Sequence, residues 1–183
     1  VDKFTGDGIM ALFGAPLAHE DHAQRACYAA LQLQERLRAQ ADQLRLQSGL
    51  SFSVRIGLNS GEVVVGTIGK IGDDLRMDYT AQGHVVGLAS RMEQICEPGR
   101  VYLTEHTARL VDGYCALRDL GETRVKGVSR PIHVHELLGV GGLRTRFDLS
   151  RARGLSKFVG RQTEMQTLEQ ALTDARAGRG QVV

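Results

Sequence analysis

Val1-Asp2-Lys3-Phe4-Thr5-Gly6-Asp7-Gly8-Ile9-Met10-Ala11-Leu12-Phe13-Gly14 is the stretch on which the reading of the fold turns. Two apolar, β-forming segments flank Gly6-Asp7-Gly8, and an Asp-Gly turn between such segments predicts a hairpin with an acid at its tip. Outward from it, Ala23, Ala26, Cys27, Ala30, Leu33, Leu37, Ala41 and Leu44 recur every three or four positions between about Glu20 and Gln47. This is the period of a long amphipathic helix, closed by Ser48-Gly49. Ser51 to Leu58 and Glu62 to Ile68 are β-rich and predict a second hairpin, joined around Ser60-Gly61. Val85 to Ile95 reads as a helix ended by Pro98-Gly99, Val101 to Leu103 as a strand, and Glu105 to Val111 as another helix. Leu117 to Val125 and Pro131 to Leu138 supply the last strands. Hairpins separated by helices predict an α+β fold, a sheet covered by helices on one face.

The remaining composition narrows the class. At 183 residues there is room for one domain of ordinary size and not for two full ones. Lys and Arg number 23 against 21 Asp and Glu, so no global charge calls for nucleic acid as a partner. Glycine, 22 residues, is about 12% of the chain against a typical 7% or so, which with few prolines and no repeat points to tight turns and close backbone approaches. Cys27, Cys96 and Cys115 cannot pair completely and lack zinc-finger spacing, so reduced, buried thiols in a cytoplasmic protein are expected. No apolar run is long enough to span a membrane. After Leu138 the pattern dissolves into Gly139-Val140-Gly141-Gly142 and a basic stretch, Arg144 to Arg153, of little periodicity. The boundaries expected are therefore a domain at 1–138, a linker at 139–157 and the start of a second domain at 158–183. Val1 reads as the inside of a strand, so the chain is expected to be a fragment.

Asp7 on its own is the turn-forming member of an Asp-Gly pair, or a carboxylate accessible to a hydrated cation such as Mg²⁺. A second string changes the balance: Asp78-Tyr79-Thr80-Ala81-Gln82-Gly83-His84-Val85-Val86-Gly87-Leu88-Ala89-Ser90-Arg91-Met92-Glu93. With Lys3 to Gly14, with Arg55-Ile56-Gly57-Leu58-Asn59-Ser60-Gly61 and with Val125-Lys126-Gly127, it resembles the class III nucleotidyl cyclase catalytic domain, in the right order from Val1 to about Leu138. The resemblance implies a ferredoxin-like βαββαβ sandwich, incomplete at its N-terminus. It also implies head-to-tail dimers, as homodimer or cyclase-domain heterodimer, with nucleotide sites at the interface.

Carried over by position, Asp7 matches one of the family's two metal-binding aspartates; the other, and a glycine-containing phosphate loop, are expected upstream of Val1. Two cations, Mg²⁺ or Mn²⁺, are implied. Lys3 matches the lysine that reads the purine. Thr80 stands where many adenylyl cyclases have Asp, a variant of a bacterial branch that includes soluble cyclases. A Lys donor with a Thr hydroxyl suits adenine, so ATP is the implied substrate. Arg91 matches the transition-state arginine and Lys126 a lysine that meets the terminal phosphates. Gly87 departs from the pattern: four residues before the arginine the family usually places an Asn that orients the ribose.

The implied activity is an adenylate cyclase converting ATP to cyclic AMP and pyrophosphate within a cytoplasmic multidomain regulator. The alternative is a catalytically degenerate homologue that dimerises and regulates a downstream ATPase. Two rival motifs are set aside. His19 and His22, and His133 and His135, lack a third Cys or His at ligand spacing for zinc, and Gly66-Thr67-Ile68-Gly69-Lys70 lacks the spacing of a phosphate loop. In the tail, Gly154 to Arg161, a following amphipathic helix and Gly178-Arg179-Gly180-Gln181-Val182-Val183 resemble the entry into a P-loop ATPase of the AAA/STAND type, short of its Walker loop.

Overall fold

A computed structural model of the chain describes every residue except 2, 16, 68–78, 83, 143–145, 153, 156–158 and 183. The described residues form two compact units, Val1–Arg144 and Thr145–Val183.

The first unit opens with the expected hairpin, strands β1 (Lys3–Thr5) and β2 (Gly8–Met10). Thr5 faces Gly8, so the central turn residues are Gly6 and Asp7, and Gly8 belongs to the strand. Gly6 has φ 69°, the positive value that a two-residue primed turn demands of its first central residue. Helix α1 (His22–Ser48) ends as predicted: Gly49 is left-handed at φ 71°, and its N–H donates to the Arg45 carbonyl at 3.0 Å. At the other end Arg25 reaches back to Asp21 at 2.7 Å. The buried face is narrower than the apolar stripe. It comprises Ala23, Cys27, Ala30 and Gln34, whereas Leu33 and Leu44 are exposed. Gln34 is held there by its amide, which donates to the Val54 and Arg100 carbonyls at 3.3 and 2.7 Å, a second hydrogen bond to each beside those from the Gly99 and Ile56 N–H groups, so the buried amide is itself satisfied.

The second expected hairpin does not form. Strand β3 (Ile56–Leu58) pairs in parallel with β6 (Val101–Thr104), and β4 (Val64–Thr67) pairs antiparallel with β5 (Tyr79–Gln82). The reason lies just past β3. Asn59 donates to the Val85 carbonyl at 2.8 Å and accepts from the Thr104 hydroxyl at 2.7 Å, while the Ser60 N–H donates to Thr107 at 2.8 Å. The segment is thus tied forward to other elements and does not fold back on β3.

Helices α2 (His84–Ile95) and α3 (Glu105–Leu110) and strands β7 (Cys115–Thr123) and β8 (Ile132–Val140) complete the unit. Among the described residues the larger sheet has four strands in the order β3-β6-β8-β7, and β1-β2 and β4-β5 are separate two-stranded sheets. The α+β expectation holds; the one-face expectation does not. All four residues of β6 are buried, and alternate strand residues point to opposite faces, so both faces are covered. On one face Met92 and Cys96, from α2 and its end, pack with Tyr102, Val125 and Val134. On the other, His135, next to Val134 in β8, meets Glu105 at the start of α3 at 2.6 Å. Glu136 is 2% exposed and is sustained by Arg118, whose Nε lies 3.0 Å away, and by Arg100 at 3.1 Å. All three cysteines are free and buried, as expected of structural thiols, and burial pushes Cys96 up to about 11.

The second unit holds α4 (Arg146–Ala152) and α5 (Gln162–Arg176). Helix α4 lies inside the stretch read as an aperiodic linker: seven residues are too few for a hydrophobic period to show. Among the described residues no helix is long and apolar enough to cross a membrane.

Candidate active site

The position of α2 is set by an absent side chain. A Cβ at Gly57 would lie 2.2 Å from both the Ala89 carbonyl oxygen and the Glu93 amide nitrogen, so glycine lets the helix backbone rest directly on β3. The contact is flanked by Arg55 and Glu93, 3.2 Å apart, and by Asn59 on the Val85 carbonyl at 2.8 Å. Gly61 repeats the device, since a Cβ there would fall 2.8 Å from a Val85 methyl. Helix α2 is therefore fixed in height and rotation over β3.

That placement orients Arg91. Its chain neighbour Met92 is fully buried, in the same cluster as Val125, the neighbour of Lys126. Two cationic residues thus follow buried anchors of one cluster out to the same edge. The Arg91 guanidinium donates to the Gln94 side chain at 2.8 Å, and its other terminal nitrogen lies 3.6 Å from where a Gly127 Cβ would stand. Gly127 itself has φ 83°, a left-handed turn that glycine adopts without strain. Arg91 is half-buried and Lys126 exposed. A guanidinium set against the turn that carries an exposed lysine is an arrangement suited to a polyanion such as a triphosphate.

The other residues singled out from sequence are distributed as follows. Asp7 stands exposed at the tip of the β1–β2 turn. Lys3 is a β1 position opposite Met10, and Thr80 a β5 position opposite Gly66. Asp78 and Gly83 lie outside the described residues. Gly87 is exposed one helical turn before Arg91, and a Cβ there would meet nothing within 4 Å, so the helix face has room for the Asn it lacks. Asp7 fits a hard divalent cation: an exposed carboxylate on a glycine-flanked turn offers one oxygen ligand and leaves space for retained waters.

The family model described as the adenylate and guanylate cyclase catalytic domain matches residues 3–139. The chain belongs to this family. Among curated proteins, Adenylate cyclase 1 of Rhizobium meliloti is 35% identical over 143 residues, covering 75% of the chain and 21% of the relative. The chain thus spans about a fifth of that protein's length. Among solved structures, the adenylyl cyclase CyaB from P. aeruginosa superposes with a TM-score of 0.68 at 33% identity, over 80% of this chain and 72% of that one. The guanylyl cyclase Cya2 gives 0.67, again at 33% identity, over 77% and 70%. Relatives of both base specificities are equally near in fold, so the fold does not choose the base.

Sequence reading of this cyclase domain missed the supports. Gly57 was legible only as part of a motif, and the buried Thr104 and Thr107, 3.2 Å apart beneath Asn59, carry no signal of their own. A glycine inside a strand pattern is the one available hint, since it marks a close backbone approach.

Proposed function

We propose that this chain is the catalytic domain of an adenylate cyclase, converting ATP to 3′,5′-cyclic AMP and pyrophosphate. The observation that carries the reading is the Arg91 guanidinium set against the turn of Lys126 and Gly127, on helix and loop anchored in one buried cluster. In the reaction the ribose 3′-oxygen forms a bond to the α-phosphorus, the bond to the bridging oxygen breaks, pyrophosphate leaves and the hydroxyl proton passes to solvent. Arg91 neutralises charge on the α-phosphate as it becomes five-coordinate, a role for which a guanidinium held by Gln94 is suited. Lys126 holds the terminal phosphates. Lys3 and Thr80 read the adenine ring nitrogen and exocyclic amine.

Two Mg²⁺ or Mn²⁺ ions would lower the pKa of the 3′-hydroxyl and steady the triphosphate. Asp7 would hold them together with a second aspartate expected upstream of Val1. Head-to-tail pairing of two cyclase domains would bring Asp7 of one chain to Arg91 of the other. The segment 158–183, with α5 in it, would open a P-loop ATPase domain of a cytoplasmic multidomain regulator.

The base assignment is tested in the full-length protein by comparing ATP with GTP as sole substrate under Mn²⁺. Cyclic AMP is expected to form preferentially. Preferential cyclic GMP formation would refute the assignment of Lys3 and Thr80.

A further inference from the structure

On the sheet face away from α2, two histidines and two carboxylates converge. His133 and His135 are alternate residues of β8 and share a face, with ring centroids 5.1 Å apart and planes inclined by 28°. The Nε2 of His135 lies 2.6 Å from Oε2 of Glu105, in the first turn of α3. The other Glu105 oxygen is occupied by Arg109, at 2.7 and 2.8 Å, so the carboxylate is clamped with one oxygen turned to the histidines. The Nε2 of His133 lies 2.6 Å from Oδ1 of Asp119.

Asp119 reaches His133 through an irregularity in β7. Asp119 pairs in register with His135 and Gly121 with Val134, so Leu120 is the extra residue of a bulge. Gly121, at φ 77°, turns its N–H back onto Asp119 Oδ1 at 2.7 Å, re-aiming the carboxylate from the histidine opposite to the next one along. Spending a glycine and a bulge to aim one side chain marks a built arrangement.

We infer that Glu105, His133 and His135 form a binding site for a single borderline divalent cation of the Zn²⁺ or Co²⁺ kind, separate from the nucleotide-site metals. One ligand atom from each of the three lies within 4.8 Å of the others. Tetrahedral zinc with ligands at about 2.0–2.1 Å holds them about 3.3 Å apart, so the ion would replace the His135–Glu105 hydrogen bond, that pair opening from 2.6 Å while all three ligand atoms already stand within 4.8 Å. Two imidazoles and one carboxylate suit zinc and cobalt, and disfavour Mg²⁺, which prefers oxygen. Three protein ligands leave the fourth position to solvent, and His135 is only 15% exposed on its side chain while His133 is 37% exposed, an inner wall and an open mouth. Asp119 is a positioning residue: its hydrogen bond takes His133 Nε2 and leaves Nδ1 for the metal, an arrangement of the kind that orients metal-bound imidazoles.

The test is calorimetric titration of the chelator-treated full chain with Zn²⁺. One Zn²⁺ per chain is expected, with Mg²⁺ producing no binding at the same concentrations. The double variant His133→Gln, His135→Gln should lose about 100-fold or more in Zn²⁺ affinity, and Asp119→Asn about 10-fold with the melting temperature of the metal-free protein unchanged. Absence of Zn²⁺ binding, or equal affinity in the double variant, would overturn the site. Should that variant fail to fold, X-ray absorption on the unaltered chain with one equivalent of Zn²⁺ decides. Two imidazole nitrogens and a carboxylate oxygen support the assignment, and sulfur ligation or a shell of water alone refutes it.

Discussion

Replacing Asp7 by Asn in the full-length protein is expected to reduce metal-dependent cyclic nucleotide formation by roughly 10³-fold or more, the several kcal/mol that cation stabilisation of the reacting groups contributes. The melting temperature should barely move. Asp7 sits exposed at the second central position of a turn whose demanding φ belongs to Gly6, and Asn preserves the turn chemistry of Asp while removing its charge. Turnover in Mn²⁺ and a thermal melt measure the two effects side by side. Full activity in Asp7→Asn would reduce Asp7 to a turn residue.

Gly57→Ala is expected to act in the opposite way, through the fold. Its methyl group would stand 2.2 Å from backbone atoms of α2, which cannot swing aside as a flexible side chain does. Relief requires lifting the helix off β3, at a cost near the upper end of overpacking, about 3 kcal/mol. The same displacement carries Arg91 away from the turn at Gly127, so activity should fall even in the folded fraction. Equilibrium unfolding in urea, with activity measured well below the transition, separates the two losses. A stability change below about 0.5 kcal/mol, the scale of ordinary surface substitutions, would mean that the approach of α2 to β3 is looser than described.

What the sequence made legible follows from range. The hairpin at Gly6-Asp7 and helices α1 and α2 depend on neighbours within a turn or two, and their periodicity or turn residues announce them. The error over β3 and β4 is a failure of range: Ile56 pairs with Val101, and nothing near Ser60-Gly61 shows that Asn59 is bound to Thr104, 45 residues on. Gln34, a polar residue between the apolar repeats of α1, carries no local sign of its burial, because its amide meets carbonyls contributed by distant segments. At the candidate active site, Arg91 and Lys126 were legible through family motifs, whereas their common anchoring through Met92 and Val125 exists only once the chain is folded. The histidines of β8 illustrate the limit most clearly. Their i, i+2 spacing was visible, but Glu105, 30 residues before His135, has no spacing relation that would betray it as the third ligand.

In the proposed head-to-tail dimer one chain supplies the metal carboxylate and another the phosphate-binding guanidinium. Co-expression of two variants of the full-length protein separates this from a site built within one chain. Asp7→Asn and Arg91→Ala should each be nearly silent alone, the second falling by roughly 10²–10³-fold through loss of transition-state charge stabilisation. Random pairing would make half the dimers mixed, and each mixed dimer would hold one site carrying both substitutions and one carrying neither. About one quarter of the unaltered activity is therefore predicted for the equal mixture. A mixture no more active than its components would contradict the claim and place Asp7 and Arg91 in the same site of a single chain.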